Sequence, residues 1–309
     1  MPQKPQITVV IPAYNAEKTI ATALRSVFDQ TLRPAEVIVV DDGSTDGTTR
    51  VVQTFAPDVT LLRQTNSGPA AARNHGIREA KSEWIALIDA DDSWMPRKLE
   101  KQAKLLADDV ALVHSNVVDS FDQGSPEVTF EELWEGNVIG TSTVVLNKQV
   151  FDEVGGFDER RSLIGVEDYN LWLRIAATGK RIRTLQEPLS IYSRTDASLT
   201  KNVPKIVEAE LFNLEVLKAK LKLSDEMSRA KRIRILEEYS KSLFYIRDLK
   251  RARDYYGELL QTRPTMSACV HWTATFLPVS VLNLPRRLAS QRAAENSTAK
   301  LPSDLVCSQ

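Results

Sequence analysis

Val37-Ile38-Val39-Val40-Asp41-Asp42-Gly43 decides the fold. Four branched aliphatic residues in a row are too few for a helix and read as a strand buried inside a sheet. The aspartates and glycine that follow are turn formers. Upstream, Ile7-Thr8-Val9-Val10-Ile11 is a similar run halted by Pro12. Between the two, Ile20, Leu24, Val27 and Phe28 recur at helical spacing within 19–30. Downstream, the pattern predicts a helix over 48–55, a strand over 59–62, an alanine-rich helix over 69–80 and a strand over 84–88. Strand and helix alternating in this way argue for a parallel sheet with helices on its faces. In such sheets ligands bind beyond the carboxyl ends of the strands. Asp41, Asp42, Asp89, Asp91 and Asp92 all follow strand ends and are expected to converge there.

Further along, 111–118 and 143–146 read as strands, and 166–177 as a helix with Leu171, Trp172 and Ile175 on one face. Beyond residue 200 the character changes. Val207, Leu211, Leu214, Leu217 and Leu221 form one apolar stripe, and Ile233, Leu236, Leu243 and Ile246 a second. Ala252, Tyr255, Tyr256, Leu259 and Leu260 form a third, which Pro264 ends. The expected organisation is an α/β domain over 1–202, a helical region over 203–290 and a small, polar, disordered tail over 291–309. Residues 240–264 faintly resemble one tetratricopeptide unit, but a single unit cannot bury its own face, and plain helical packing fits as well.

Composition bounds the partners. Of 309 residues, 42% are apolar and 26% charged, which excludes disorder and collagen. Forty basic side chains against forty-one acidic ones argue against nucleic acid, which calls for a basic excess. Two cysteines, Cys269 and Cys307, and three scattered histidines do not make a disulfide framework or a four-ligand zinc site. The N-terminus lacks a signal-peptide pattern, and no apolar run approaches the ~20 residues that span a bilayer. A cytoplasmic chain, peripheral on the inner membrane face at most, is therefore expected.

Four segments carry a family resemblance: Val9-Val10-Ile11-Pro12-Ala13-Tyr14-Asn15, Val39-Val40-Asp41-Asp42-Gly43-Ser44-Thr45-Asp46-Gly47-Thr48, Ile88-Asp89-Ala90-Asp91-Asp92 and Gly165-Val166-Glu167-Asp168-Tyr169. In this order they resemble the inverting glycosyltransferases of GT-A fold known as family 2. Asn66-Ser67-Gly68-Pro69-Ala70-Ala71-Ala72-Arg73-Asn74 and Gly155-Gly156-Phe157-Asp158 match as well. Any one segment is weak; six in order between residues 5 and 200 are specific. The resemblance implies an α/β, GT-A fold, with a Rossmann-like, mostly parallel sheet flanked by helices, and here a helical C-terminal region. It implies transfer of a sugar from a nucleotide-diphospho-sugar, a UDP-sugar foremost, to a hydroxyl of a glycan or lipid-linked acceptor during assembly of a cell-surface polysaccharide.

Each segment has a chemical reading beside a plainer one. Pro12, Tyr14 and Asn15 follow a strand, where Tyr14 can stack on a base, and Asp42 can accept from a base N–H. A polar turn accounts for 41–47 locally, although two adjacent aspartates exceed what a turn needs. A calcium loop fails because Gln53 stands where the bidentate glutamate belongs. Asp89, Asp91 and Asp92 crowd three carboxylates into four residues, which a hard cation such as Mg²⁺ or Mn²⁺, shared with substrate phosphates, would relieve. The resemblance makes Asp92 the metal ligand and sets Asp91 against the ribose or sugar; the plainer reading is a solvated acidic loop. Arg73 is suited to hold phosphate or to order the Asp91 loop, or else is a surface arginine. Inverting transfer needs one base for the acceptor hydroxyl, and the resemblance assigns it to Asp168 of the Glu167-Asp168 pair. Acids also suit a helix N-terminus. Gly155 to Asp158 would shape the acceptor loop, and Trp134 or Trp172 would pack on a sugar or in the core.

Two departures from the family pattern narrow the reading. No Gln-x-x-Arg-Trp motif follows the Glu-Asp pair, which argues against a processive synthase. No histidine follows Tyr192-Ser193-Arg194, so that loop is not expected to bind metal. Near the C-terminus, 270–288 combines Trp272, Phe276, Leu277, Val281, Leu282 and Leu284 with Arg286 and Arg287. Such a segment lies in a membrane interface or packs as a helix. The rival functions are a nucleotidyltransferase, for which 12–16 lacks a glycine-rich phosphate loop, and a non-catalytic sugar-nucleotide-binding scaffold.

Overall fold

The structure, a computed structural model, describes residues 5–118, 125–193 and 202–283. The first part alternates as the sequence predicts: β1 (Ile7–Ala13), α1 (Ile20–Phe28), β2 (Glu36–Asp41), α2 (Thr48–Gln53), β3 (Thr60–Arg63), α3 (Pro69–Glu79) and β4 (Trp84–Leu87). Then come β5 (Ser93–Trp94), α4 (Lys98–Ala103), β6 (Val110–Val117), α5 (Phe130–Glu135), β7 (Val145–Asn147), α6 (Lys148–Glu153), α7 (Glu167–Ala176) and β8 (Arg181–Ile191). The strands form one sheet in the order β3-β2-β1-β4-β7-β6-β8-β5. The β3, β2, β1 and β4 strands run parallel. Beyond them β7 is antiparallel to both β4 and β6, β8 returns parallel to β6, and β5 closes the edge antiparallel to β8.

The two faces of the parallel half are both covered. Ile7, Val9, Ile11, Val37 and Val39 pack with Ile20, Leu24 and Val27 of α1 on one side. On the other, α3 lies close against β1 and β2. A methyl group at Gly76 would stand 2.5 Å from Val10 Cγ1 and 3.1 Å from Val40 Cγ2. The buried alanines 70 to 72 serve the same close approach, and it carries Arg73 in toward the strand ends.

The largest difference from the sequence reading is β8. Its eleven residues, RIRTLQEPLSI, carry charge at Arg181, Arg183 and Glu187, and Pro188 cannot donate to a ladder. What makes it a strand is β6, about 70 residues away in sequence, whose register with it shifts around Asn116–Pro188. The helix α5 begins in a capping box: Glu132 N–H donates to Thr129 Oγ1 at 3.1 Å and Thr129 N–H to Glu132 Oε2 at 2.9 Å.

The C-terminal helices follow the three apolar stripes: α8 (Val203–Leu221), α9 (Asp225–Ile246) and α10 (Leu249–Thr262), with α11 (Met266–Ala274) and α12 (Val279–Leu282) after them. The chain divides into two compact units, Met1–Lys231 and Arg232–Gln309, so α8 belongs to the first unit. Within that unit Asn170 of α7 donates to Asn213 of α8 at 2.7 Å. Within the second, Arg232 pairs with Glu258, Tyr256 stacks on His271, and Arg253 lies 3.9 Å over the Phe276 ring. Among the described residues no helix is long and apolar enough to cross a membrane. Arg194 to Asp196, Arg286, Arg287 and the expected tail lie outside the described residues.

Candidate active site

The chain leaving β4 turns into Asp89-Ala90-Asp91-Asp92, and a buried 3₁₀ turn, Thr141–Thr143, lies beside it. Asp89 N–H donates to Ser142 Oγ at 2.9 Å, and the Ser142 hydroxyl donates to Asp92 Oδ2 at 2.5 Å. Ser193 N–H donates to Asp92 Oδ1 at 3.1 Å. Asp92 is 4% exposed. Burial pushes its carboxyl up to about 7; the Ser142 and Ser193 hydrogen bonds oppose the rise, and the charges of Asp89 and Asp91 add to it.

Arg73 joins this loop to α7. Its side chain is 5% exposed, so the surface reading is excluded. Nη2 donates to Asp89 Oδ1 at 2.7 Å and Nη1 to Glu167 Oε1 at 2.8 Å. Burial alone would weaken the guanidinium's hold on its proton, but Asp89 and Glu167 outweigh it and hold the group charged. The other oxygen of Glu167 accepts from Gly165 N–H at 2.7 Å. Glu167 therefore spends both oxygens on Arg73 and the backbone.

Asp168 is half-buried and differently placed. Oδ1 accepts from Tyr169 N–H at 2.6 Å, and Oδ2 from the Thr141 hydroxyl at 3.1 Å and Asn137 Nδ2 at 3.4 Å. Burial, then the neighbouring charge of Glu167, pushes its carboxyl up to about 6, against the pull of Tyr169 N–H, Arg73 and Thr141. Asp92 and Asp168, 76 positions apart, are thus held by the hydroxyls of consecutive residues. Tyr192 reaches into the same place. Its hydroxyl abuts Gly140, where even a methyl group would collide with it. Burial and then Asp89, Asp92 and Asp168 raise its phenol above the usual range.

The β1 and β2 ends are laced together. Asp42 N–H donates to Ala13 O at 2.8 Å, Asn15 N–H to Ser44 Oγ at 2.9 Å, and Thr45 N–H to Asn15 Oδ1 at 2.9 Å. Asn15 has φ +49°, the left-handed region that asparagine tolerates. Pro12 pairs with Val40 in the sheet, and Tyr14 beyond it is 53% exposed.

Both aspartates of this turn are used by the turn, contrary to the expectation that it needed only one. Asp41 is fully buried and accepts from Ser44 N–H and the Thr49 hydroxyl, with Arg63 at 3.4 Å. Burial would raise its carboxyl, but those partners outweigh it and the group sits below its usual range. Asp41 does not join the carboxylate cluster. Asp42, 3% exposed, accepts from Gln64 Nε2, Ser67 N–H and Gly68 N–H, each at 2.8 Å. It anchors the loop that starts α3. Trp134 and Trp172 are core residues; Trp172 is fully buried and donates to Ile139 O.

Gly155 to Asp158 is tied to α3 rather than to the carboxylates. Asn74 Nδ2 donates to Phe157 O and Phe157 N–H to Asn74 Oδ1, both at 2.9 Å. A hollow of about 460 Å³ opens here, lined among others by Asn74, Asp158 and Lys220 and by none of the carboxylates described above.

Among the described residues no group of three or more His, Cys, Asp or Glu side chains forms a metal cage. Mg²⁺ and Mn²⁺ do not need one, because one or two carboxylates with substrate phosphates suffice. Asp92 fits that role: it is an oriented, buried carboxylate among like charges that a cation would neutralise. Thr141 and Ser142 carried no signal in the sequence, and Tyr192 stood out there only as part of a loop not expected to bind metal. A hydroxyl becomes informative only when its partner is known.

A model of the family described as Glycosyl transferase family 2 matches residues 8–161, and one described as Glycosyltransferase like family 2 matches 127–207. The chain is 32% identical over 181 residues to the UDP-Glc:alpha-D-GlcNAc-diphosphoundecaprenol beta-1,3-glucosyltransferase WfgD of Escherichia coli, covering 55% of this chain and 69% of that protein. It shares its fold with S. aureus TarS 1-349 in complex with UDP-GlcNAc, at TM-score 0.65 and 18% identity over 88% of this chain and 89% of the other. It also resembles the mannosyltransferase PcManGT from Pyrobaculum calidifontis in complex with GDP-Man and Mn²⁺, at TM-score 0.60 and 20% identity over 95% and 85% of the two chains.

Proposed function

We propose, because the chain belongs to glycosyltransferase family 2, that it moves a sugar from a nucleotide-diphospho-sugar, foremost a UDP-sugar, to a hydroxyl of a lipid-linked glycan by single displacement with inversion. The observation that carries this reading is the pairing of Asp92 and Asp168 with adjacent hydroxyls, Ser142 and Thr141, so that two raised carboxylates flank one place. Asp168 is the general base. A carboxylate titrating near 6 is a stronger base than an ordinary one and is still mostly ionised at neutral pH. It takes the proton from the acceptor hydroxyl as the oxygen attacks the anomeric carbon, opposite the leaving diphosphate. Glu167, with both oxygens spent, orients Arg73 and the start of α7.

Asp92, with Asp91 beside it, would hold Mg²⁺ or Mn²⁺. When bound, such an ion supplies positive charge to the diphosphate oxygens. Tyr14, the exposed aromatic beyond β1, receives the face of the base. Pro12 and Asn15 shape that edge, and Asp42 orders the loop beneath it rather than offering a free oxygen. The lipid-linked acceptor is proposed by analogy with the relative WfgD, whose acceptor is alpha-D-GlcNAc-diphosphoundecaprenol.

Thermal unfolding with a panel of UDP-, dTDP- and GDP-sugars, with and without Mn²⁺, tests the donor. One sugar nucleotide at about 100 times its Kd should stabilise the protein by about 2.7 kcal/mol, and only with the metal. No shift with any of them would remove the donor assignment.

A lipid-linked acceptor also calls for contact with a membrane. Val270, Phe276, Leu277, Val279 and Val281 in and after α11 are exposed apolar side chains, and we place the lipid contact there. The chain should float with vesicles containing anionic lipid, and Leu277→Asp with Val281→Asp should leave it in the soluble fraction. Equal flotation of both would refute the contact.

A further inference from the structure

We propose that Thr141 and Ser142 are positioning residues that set the spacing between the base Asp168 and the donor-side carboxylate Asp92. This deepens the reading above and rests on it.

The turn is built to be rigid. Trp94 Nε1 donates to Ser142 O at 2.7 Å, and Ser190 Oγ donates to the same oxygen at 3.1 Å. Gln102 Nε2 donates to Thr143 O at 2.8 Å, and the Thr143 hydroxyl closes back onto Gly140 O at 2.7 Å. Gln102 is itself fully buried and also donates to Val113 O at 3.0 Å. Contacts from the β5 end, α4 and β8 thus grip a three-residue turn whose side chains are all buried.

The hydroxyl polarity is determined by the partners. Asp89 N–H occupies a lone pair of Ser142 Oγ, so the serine's single proton goes to Asp92 Oδ2. This fixes which way the Asp92 carboxylate faces. One residue earlier, Thr141 gives its proton to Asp168 Oδ2. A serine and a threonine adjacent in the chain therefore carry the two halves of the reaction on one rigid peptide. Ser142 serves the leaving diphosphate side, and Thr141 serves the attacking side. Gly140 before them leaves room for the Tyr192 hydroxyl, which completes the wall.

The two halves are separable by experiment. Ser142→Ala, Thr141→Val, Thr141→Ser and Asp168→Asn are compared with the parent chain. The first readout is Mn²⁺-dependent UDP binding by calorimetry. The second is UDP release from the sugar nucleotide that gives the largest thermal shift. Ser142→Ala should weaken the Mn²⁺ dependence of UDP binding by about tenfold, as loss of a partner behind a metal ligand does. Its turnover should fall as well, and raising Mn²⁺ should recover part of that fall. Thr141→Val should lower kcat by about 10- to 100-fold through a displaced base and leave UDP binding unchanged. It should also move the acid limb of the pH profile upward, because a hydrogen bond favouring the carboxylate is lost while Glu167, Arg73 and Tyr192 still face it. Thr141→Ser should restore both. Parent-like values for Ser142→Ala and Thr141→Val overturn the proposal, and so does an equal fall of all parameters in both. If Asp168→Asn itself turns over normally, the assignment of the base fails instead.

Discussion

Asp168→Asn lowers kcat by about 10²- to 10⁴-fold, the usual contribution of a general base, and leaves nucleotide affinity where it was. Asparagine keeps the shape and one oxygen, which can still accept from Tyr169 N–H, while its amide nitrogen stands where Oδ2 was and donates to the Thr141 oxygen once that hydroxyl turns its proton away; the basic lone pair and the charge are lost. The fold does not suffer from the loss. The Asp168 carboxyl is raised to about 6 by burial and by Glu167, above its unfolded value of about 3.9. A group shifted in that direction contributes stability that is complete below the unfolded value and is lost as pH rises through the folded one. At neutral pH the ionised Asp168 is therefore a cost, and the amide relieves it. Thermal unfolding at pH 7.5 should place the variant at or above the parent. The same shift sets the pH profile. Turnover by the parent should rise about tenfold per pH unit below 6 and level off above it, and residual turnover by the variant should lack that limb. Parent-like kcat in Asp168→Asn, read by UDP release, would end the assignment.

Arg73→Met should be the most destabilising single change in the cluster, by roughly 3 kcal/mol, with loss of turnover. Removing one partner of a buried ion pair typically costs about 3–5 kcal/mol, because the remaining charges have no compensation. Here two carboxylates would be stranded: Glu167, almost wholly buried, and Asp89, about a third exposed, whose access to water keeps the expected cost at the low end. Arg73→Lys should not rescue it, since one ammonium cannot replace a fork whose two nitrogens hold two separate acids. Adding Glu167→Gln to Arg73→Met should recover part of the loss. Urea unfolding of the four members of that cycle measures the coupling. A midpoint for Arg73→Met within error of the parent would show that the bridge carries no stability.

The parallel half of the sheet was readable because its strands are buried on both faces and announce themselves as unbroken aliphatic runs, as in 37–40 and 7–11. The helices α8 to α10 were readable because each has one apolar stripe. The strand β7 was expected over 143–146 but its antiparallel pairing was not, and the long β8 was not expected at all, since a strand's direction and a charged segment's strand character are set by a distant partner. In the site, the acids stood out by crowding and order. Their division of labour did not. Asp41 and Asp42 look alike in the chain, yet the fold seals both into loop hydrogen bonds, while Asp92 and Asp168 meet across a turn that neither adjoins in sequence.

The amino-acid order alone determined which segments are strands and helices in the first ninety residues, the family pattern and the list of acids available for chemistry. Those are local properties, decided by periodicity and by residue type at a strand end. The tertiary structure alone decided that Arg73 bridges Asp89 and Glu167, that Asp168 lies near 6 rather than 4, and that Thr141 and Ser142 hold the two sides together. Charge, burial and hydrogen-bond polarity depend on neighbours in space, and the closest of these neighbours are separated by up to 94 positions in the chain.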